Sequence, residues 1–197
     1  DPMSPKVVAT AKAPAVNAPV SVEVQLRYAF VCDADGVAVL DVTDLLLSPE
    51  ATGEPRSLSR VARVDLAEAH NIYVSRSFGY VAAGPEGMVI LDLQRPDQPT
   101  VLQRWTGGGA LTGVRDVKVG ATNASLYAYV AYAGGLAVVQ LTTADDPRNQ
   151  GWSPIPEPRL IATYATSGPA IAISEGIDRD RAVDEHGHQT AVFGRVG

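Results

Sequence analysis

The side chains best equipped for chemistry lie near the C-terminal end. His186, His188 and Asp184 fall within one short stretch. Residues at i and i+2 share a face of extended backbone. Two imidazoles and a carboxylate form a donor set that zinc or another transition metal accepts. Asp178 and Asp180 lie just upstream and, with Asp184, offer hard oxygens to calcium. The glycine and terminal glutamate of an EF-hand loop are missing. The plainer expectation is a solvated loop in which Arg179 and Arg181 pair with the neighbouring carboxylates. A metal ion is therefore the one cofactor these residues suggest.

Elsewhere the chemistry is sparse. Cys32 is the single cysteine, so no intrachain disulfide forms. Its expected role is a small buried side chain, with an intermolecular bridge or reactive thiol as the alternative. No Cys-x-x-Cys-His is present, so this chain attaches no c-type haem covalently. No Gly-x-Ser-x-Gly is present either, and three histidines leave few bases for a nucleophile. Gly107-Gly108-Gly109 precedes a strand-like run, where a phosphate loop needs a helix. It is expected to be a flexible connector. No catalytic residue emerges, and an enzyme is the less favoured class.

The residues around these groups repeat. Segments 28–42, 79–93 and 127–141 carry nearly the same pattern, with Gly36, Gly87 and Gly135 recurring about 50 residues apart. Five positions after each glycine stands a polar residue: Asp41, Asp92 and Gln140. Upstream of each lie an Ala- or Gly-aromatic-Val run and a Val- or Ile-rich run. Short β-branched and aromatic runs separated by glycine or acidic turns read as strands. Apolar residues on both faces of 37–40 suggest a strand covered on two sides. Runs 59–64, 99–105 and 159–164 read as return strands. Asp33-Ala34-Asp35-Gly36 reads as an acidic hairpin turn, since Asp-Gly is a preferred turn pair.

Four antiparallel strands in about 40–50 residues make one propeller blade. The expected fold is an all-β β-propeller with three complete four-stranded blades and partial blades at both ends. The blades are residues 20–64, 70–106 and 115–164. Residues 1–10 read as the return strand of a preceding blade. Residues 169–197 read as a partial blade with a polar insertion, 170–173 being its inner strand. The whole of 1–197 is then one propeller domain, closing as a ring of four or forming a segment of a longer propeller. His70 would sit at the mouth of an axial channel, where it bonds locally or binds a ligand. Val20-Ser21 and Arg115-Asp116 occupy the equivalent positions, so no ring of histidines forms.

The Ala-aromatic-Val run, the Gly-(apolar)4-Asp strand and the Pro96 to Pro99 connector resemble the LVIVD repeat family of bacterial β-propellers. Gly87-Met88-Val89-Ile90-Leu91-Asp92-Leu93 matches best, and the third repeat departs at Gln140. The resemblance covers most of 5–164. It implies a secreted or surface protein, periplasmic or extracellular, and supplies no shared catalytic set.

Net charge is −6, with 22 acidic and 16 basic residues, and no basic stripe is present. Sequence-independent nucleic-acid binding needs phosphate-neutralising charge, so nucleic acid is not an expected partner. No apolar run approaches the roughly 18 residues of a membrane span. No basic-then-apolar leader opens the sequence, so a signal peptide is expected to be absent or removed. Three lysines among 197 residues mildly suit an exported chain. The leading functional expectation is a non-catalytic, extracytoplasmic scaffold or interaction module. Its variable loops, 45–55, 145–158 and 175–189 (with Trp152 in the second), meet a protein partner. That partner, or further blades of a longer chain, covers the open strand edges. The alternative is the propeller component of an extracellular multihaem or metal-dependent redox assembly.

Overall fold

The structure is a computed structural model that describes residues 3–47, 54–121, 125–143, 145–149, 153–174, 182–183 and 189–191. Its strands are β1 (Ala9–Thr10), β2 (Ser21–Gln25), β3 (Tyr28–Asp33), β4 (Gly36–Asp41), β5 (Arg56–Ser57), β6 (Arg60–Asp65), β7 (Asn71–Ser75), β8 (Phe78–Ala82), β9 (Met88–Asp92), β10 (Thr100–Trp105), β11 (Asp116–Ala121), β12 (Leu126–Tyr132), β13 (Gly135–Gln140), β14 (Arg159–Ala165), β15 (Ala182–Val183) and β16 (Gln189–Ala191). One helical turn, Thr43–Leu47, and one 3-10 turn, Pro147–Asn149, interrupt them. Among the described residues the protein is thus all-β, with three four-stranded antiparallel sheets: β2-β3-β4-β6, β10-β9-β8-β7 and β11-β12-β13-β14. Among the described residues no helix is long and apolar enough to cross a membrane.

Two compact units are present, 1–83 with 89–103 and 84–88 with 104–197. In the first unit, the β2 to β6 sheet turns one face onto the sheet containing β7. Phe30, Val37 and Val39 share a core with Ile72, Val74, Val89 and Leu91. Phe30, Val37 and Val39 are fully buried. Each such side chain stabilises the fold by about 1.5–3 kcal/mol. The opposite face of the first sheet, Ala29, Val31, Ala38 and Leu40, is covered by Ala11, Ala15 and Val16. β3 and β4 are therefore enclosed from both sides, which is why 37–40 lacks a polar face.

The anchor glycines have a shared steric cause. A Cβ on Gly36 would lie 2.2 Å from the Val64 carbonyl oxygen. On Gly87 it would lie 2.3 Å from that of Trp105, and on Gly135 2.2 Å from that of Tyr164. All three take positive φ, at 127°, 78° and 129°. The return strand's backbone occupies the space a side chain would need. In the first hairpin the two loop residues are Ala34 and Asp35, because Asp33 pairs with Gly36. The glycine thus serves the close approach of β6, not the corner of the turn.

Register slips recur as well. Val39 faces Ala62 while Leu40 faces Arg60, leaving Val61 as an extra residue. Val138 faces Ala162 while Val139 faces Leu160, leaving Ile161 extra. A bulge bends its strand and sharpens the local twist. The same irregularity at equivalent points of two sheets marks it as part of the repeat.

The segments before β2 and after β14 pair differently from the strands of the three sheets. Ala9 and Thr10 pair in parallel with Arg56 and Ser57. Residues 170–173 form no strand. Their backbone is held instead at two points: the Ala170 N–H donates to the Tyr132 carbonyl at 3.2 Å, and the Ile173 N–H to Asp116 at 2.7 Å. Anchoring by a side-chain carboxylate takes the place of a strand ladder there. β15 and β16 form a separate antiparallel ribbon. The triple glycine is an ordered turn, not a loose connector. The Gly109 and Leu111 N–H groups both donate to the Thr106 carbonyl, at 3.1 and 2.9 Å.

Candidate functional site

Two surface crevices open where the third strand of a sheet ends and the chain makes its longest detour to the fourth. One, of about 250 Å³, lies in the first unit and is lined by Asp41, Thr43, Asp44, Arg56, Ser59 and Val61. The other, of about 300 Å³, lies in the second unit and is lined by Gln140, Thr143, Asp145, Asp146, Glu157 and Arg159. Asp41 and Gln140 are the equivalent last residues of β4 and β13, so the two crevices occupy one position of the repeat. The bulge contributes directly to the first, because the extra Val61 forms part of its wall.

The repeat's terminal aspartate shapes this position. Asp41 Oδ1 accepts from the Thr43 N–H at 2.8 Å and from the Thr43 hydroxyl. Asp92 Oδ1 accepts from the Gln94 N–H at 2.9 Å. A carboxylate bonding its own backbone two residues on is an Asx turn, and it ends the strand. The Thr43 hydroxyl, then the Thr43 N–H, draws the Asp41 carboxyl below its ordinary range. Gln140 has one methylene too many for that turn. Its Oε1 accepts from Arg159 at 2.8 Å, and the Thr142 hydroxyl accepts from the Leu126 N–H at 3.0 Å. The third repeat's departure at Gln140 thus replaces a local cap with two longer-range ones.

Charge in the crevices is largely paired in place. Arg148 bridges Asp146 at 2.6 Å and Glu157 at 2.7 Å. Its side-chain bond, with the bond from its N–H, lowers the Asp146 carboxyl's pKa. Arg56 donates to the Asp44 carbonyl at 2.8 Å. The polar groups are therefore held in fixed directions while remaining on the surface, an arrangement suited to hydrogen-bonding recognition. Among the described residues neither crevice is lined by a histidine or a cysteine. Among the described residues no group of three or more His, Cys, Asp or Glu stands ready to hold a metal.

The sequence candidates fall as follows. Asp184, His186 and His188 lie outside the described residues, as do Asp178, Asp180 and Trp152. His70 Nε2 lies 2.7 Å from the Glu68 carboxylate, a local contact, and the His70 backbone N–H donates to the Ala82 carbonyl at 2.9 Å. Cys32 is fully buried. Burial pushes its thiol up to about 11, against a smaller downward pull from Ser21. The thiolate is the reactive form, so Cys32 is inert at neutral pH.

The acidic turn holds more than a turn. Asp33 accepts two bonds from Arg63, each 2.7 Å, and one each from the Asn17 and Asp35 N–H groups, both 2.9 Å. Burial alone pushes this carboxyl upward. The Arg63 bonds, the two N–H groups and the Arg63 charge together outweigh it and hold the carboxyl at about 2. Asp33 thereby ties the N-terminal segment, through Asn17, to β3 and β6. Sequence reasoning saw the turn but missed Arg63 because thirty residues separate the partners. Arg148 was missed as well, since no local motif marks a residue that bridges two carboxylates.

Residues 67–106 match the LVIVD repeat. No curated protein and no solved structure matches the chain.

Proposed function

We propose, from the LVIVD repeat at 67–106 and the repeated crevices, that this chain is a non-catalytic recognition module of β-propeller type. It presents its third-to-fourth-strand connections to a protein partner. The observation that carries this reading is the recurrence of a polar crevice at the same repeat position in both units. Random surface hollows do not respect a repeat register, whereas a presented surface does. The packing of Phe30, Val37 and Val39 against Ile72 and Val74 supports a blade-like arrangement of neighbouring sheets in the first unit. Fixed Asx turns and ion pairs reduce the ordering cost that binding would otherwise carry.

A photo-crosslinking residue placed at Leu45 or Asn149, in the protein expressed in its native host, tests the proposal. One dominant adduct of defined mass is expected from both positions and none from Arg95. Adducts absent from both, or equally abundant from Arg95, refute it.

A further inference from the structure

We infer that residues 8–17 form a displaceable strap that closes one face of the first sheet by taking the seat of a neighbouring sheet. The inference concerns a sheet face rather than the crevices, so its failure leaves the recognition function standing.

The repeat defines the seat. Val31, Ala38 and Leu40 of the first sheet correspond to Val81, Val89 and Leu91 of the second. In the second sheet these side chains are covered by another sheet, through Phe30, Val37 and Val39. In the first sheet they are covered by Ala11, Ala15 and Val16. One position of the repeat is thus filled by a sheet in one case and by a single segment of chain in the other. The two fillings exclude each other. While the strap is seated Val31, Ala38 and Leu40 are buried, and a further sheet reaches them only if the strap leaves.

The strap is fastened mainly through its backbone. The Arg56 and Leu58 N–H groups donate to the Val8 and Thr10 carbonyls, at 3.0 and 2.8 Å. The Arg60 guanidinium donates to the Pro14 carbonyl at 3.0 Å. At the far end the Asn17 N–H donates to Asp33 at 2.9 Å, and the Asn17 carbonyl accepts from the Ala34 N–H at 2.8 Å. Its apolar contact comes from two alanines and a valine. These bury less area than Phe30, Val37 and Val39 do, and stabilisation scales with that area. A segment held by few apolar contacts opens below the free energy of global unfolding. Opening the strap uncovers one face of β3 and β4, while the core on the other face contains no strap residue and stays closed.

Two thiols on opposite faces of the first sheet test this in the full chain. Cys32 lies in the core shared with the second sheet, and Ala38→Cys places a thiol beneath the strap. With excess dithiobisnitrobenzoate and no denaturant, the introduced thiol should react at least about 10-fold faster than Cys32, because it needs only strap opening. Adding Arg60→Ala removes one anchoring bond and should raise that rate about fivefold, with Cys32 unchanged. Adding Val16→Asp instead should raise it at least about 30-fold, since a seated strap would bury an unpaired carboxylate. Circular dichroism establishes that each variant folds. Ala29→Cys serves if Ala38→Cys does not, and Arg60→Ala decides alone if Val16→Asp does not. Equal reaction of the two thiols overturns the inference, because strap and sheet would then open as one unit. So does an introduced-thiol rate that the strap substitutions leave unchanged, or a parallel rise in Cys32 labelling in Arg60→Ala.

Discussion

Replacing Asp33 by asparagine removes the negative charge that Arg63, Asn17 and Asp35 converge on. The carboxyl is held at about 2 against an ordinary 3.8. Each pKa unit corresponds to about 1.4 kcal/mol of differential stabilisation, so the ionised group contributes about 2 kcal/mol. The sign follows from linkage. The folded-state pKa is depressed, so this stability is fully present above about pH 4. It declines as pH falls and is gone below about pH 2. Urea unfolding of the parent and of Asp33→Asn should therefore differ by about 2 kcal/mol at pH 7 and converge near pH 2. The difference between the two curves isolates Asp33 from other titrating carboxylates, Asp41 and Asp146 among them. Arg63→Met should cost a similar amount, and the double variant less than the sum of the two, because the residues act as a pair. Equal stability of Asp33→Asn and parent at pH 7 would refute the reasoning. So would a gap between them that persists unchanged at pH 2.

Three further outcomes are expected. Gly87→Ala should destabilise by at least about 3 kcal/mol, since its Cβ would lie 2.3 Å from a backbone oxygen at a strained φ. Gly108→Ala, with nothing within 4 Å of its Cβ, should lose only about 1 kcal/mol in thermal unfolding. Asp92→Ala should lose about 1 kcal/mol with its Asx bond, while Asp92→Asn keeps the acceptor and stays near parental stability in the same assay. Cys32 should resist a thiol reagent such as dithiobisnitrobenzoate at pH 8 in the folded protein and react fully in denaturant. Rapid native labelling would contradict its burial and raised pKa.

Much of the architecture was legible because it is locally encoded. Period-2 runs such as Val22-Glu23-Val24, and two-faced apolar runs such as Val37-Ala38-Val39-Leu40, pointed to strands and to an all-β protein. The recurrence of glycine and aspartate pointed to the LVIVD repeat that matches at 67–106. The reasons behind those signatures were less legible. Asp-Gly suggested a turn corner, but Gly36 is needed because β6 passes behind it. The aspartate ending the strand was legible only as a recurring polar residue, whereas Asp41 and Asp92 each bond their own backbone two residues on. The long detours 45–55 and 145–158 were visible as loops, but the first crevice takes part of its wall from the bulge at Val61. A bulge leaves no mark in a strand's composition.

Sequence alone determined the element type, the repeat and its register, because side-chain shape and alternation act on residues a few positions apart. Tertiary structure alone decided which charges meet, as Asp33 and Arg63 do. It also decided which apolar rows find cover: Ile72 and Val74 do, Val22 and Val24 do not. Similar local patterns acquire different environments when a sheet packs beside one of them and the other is left exposed, and that depends on contacts across long stretches of chain.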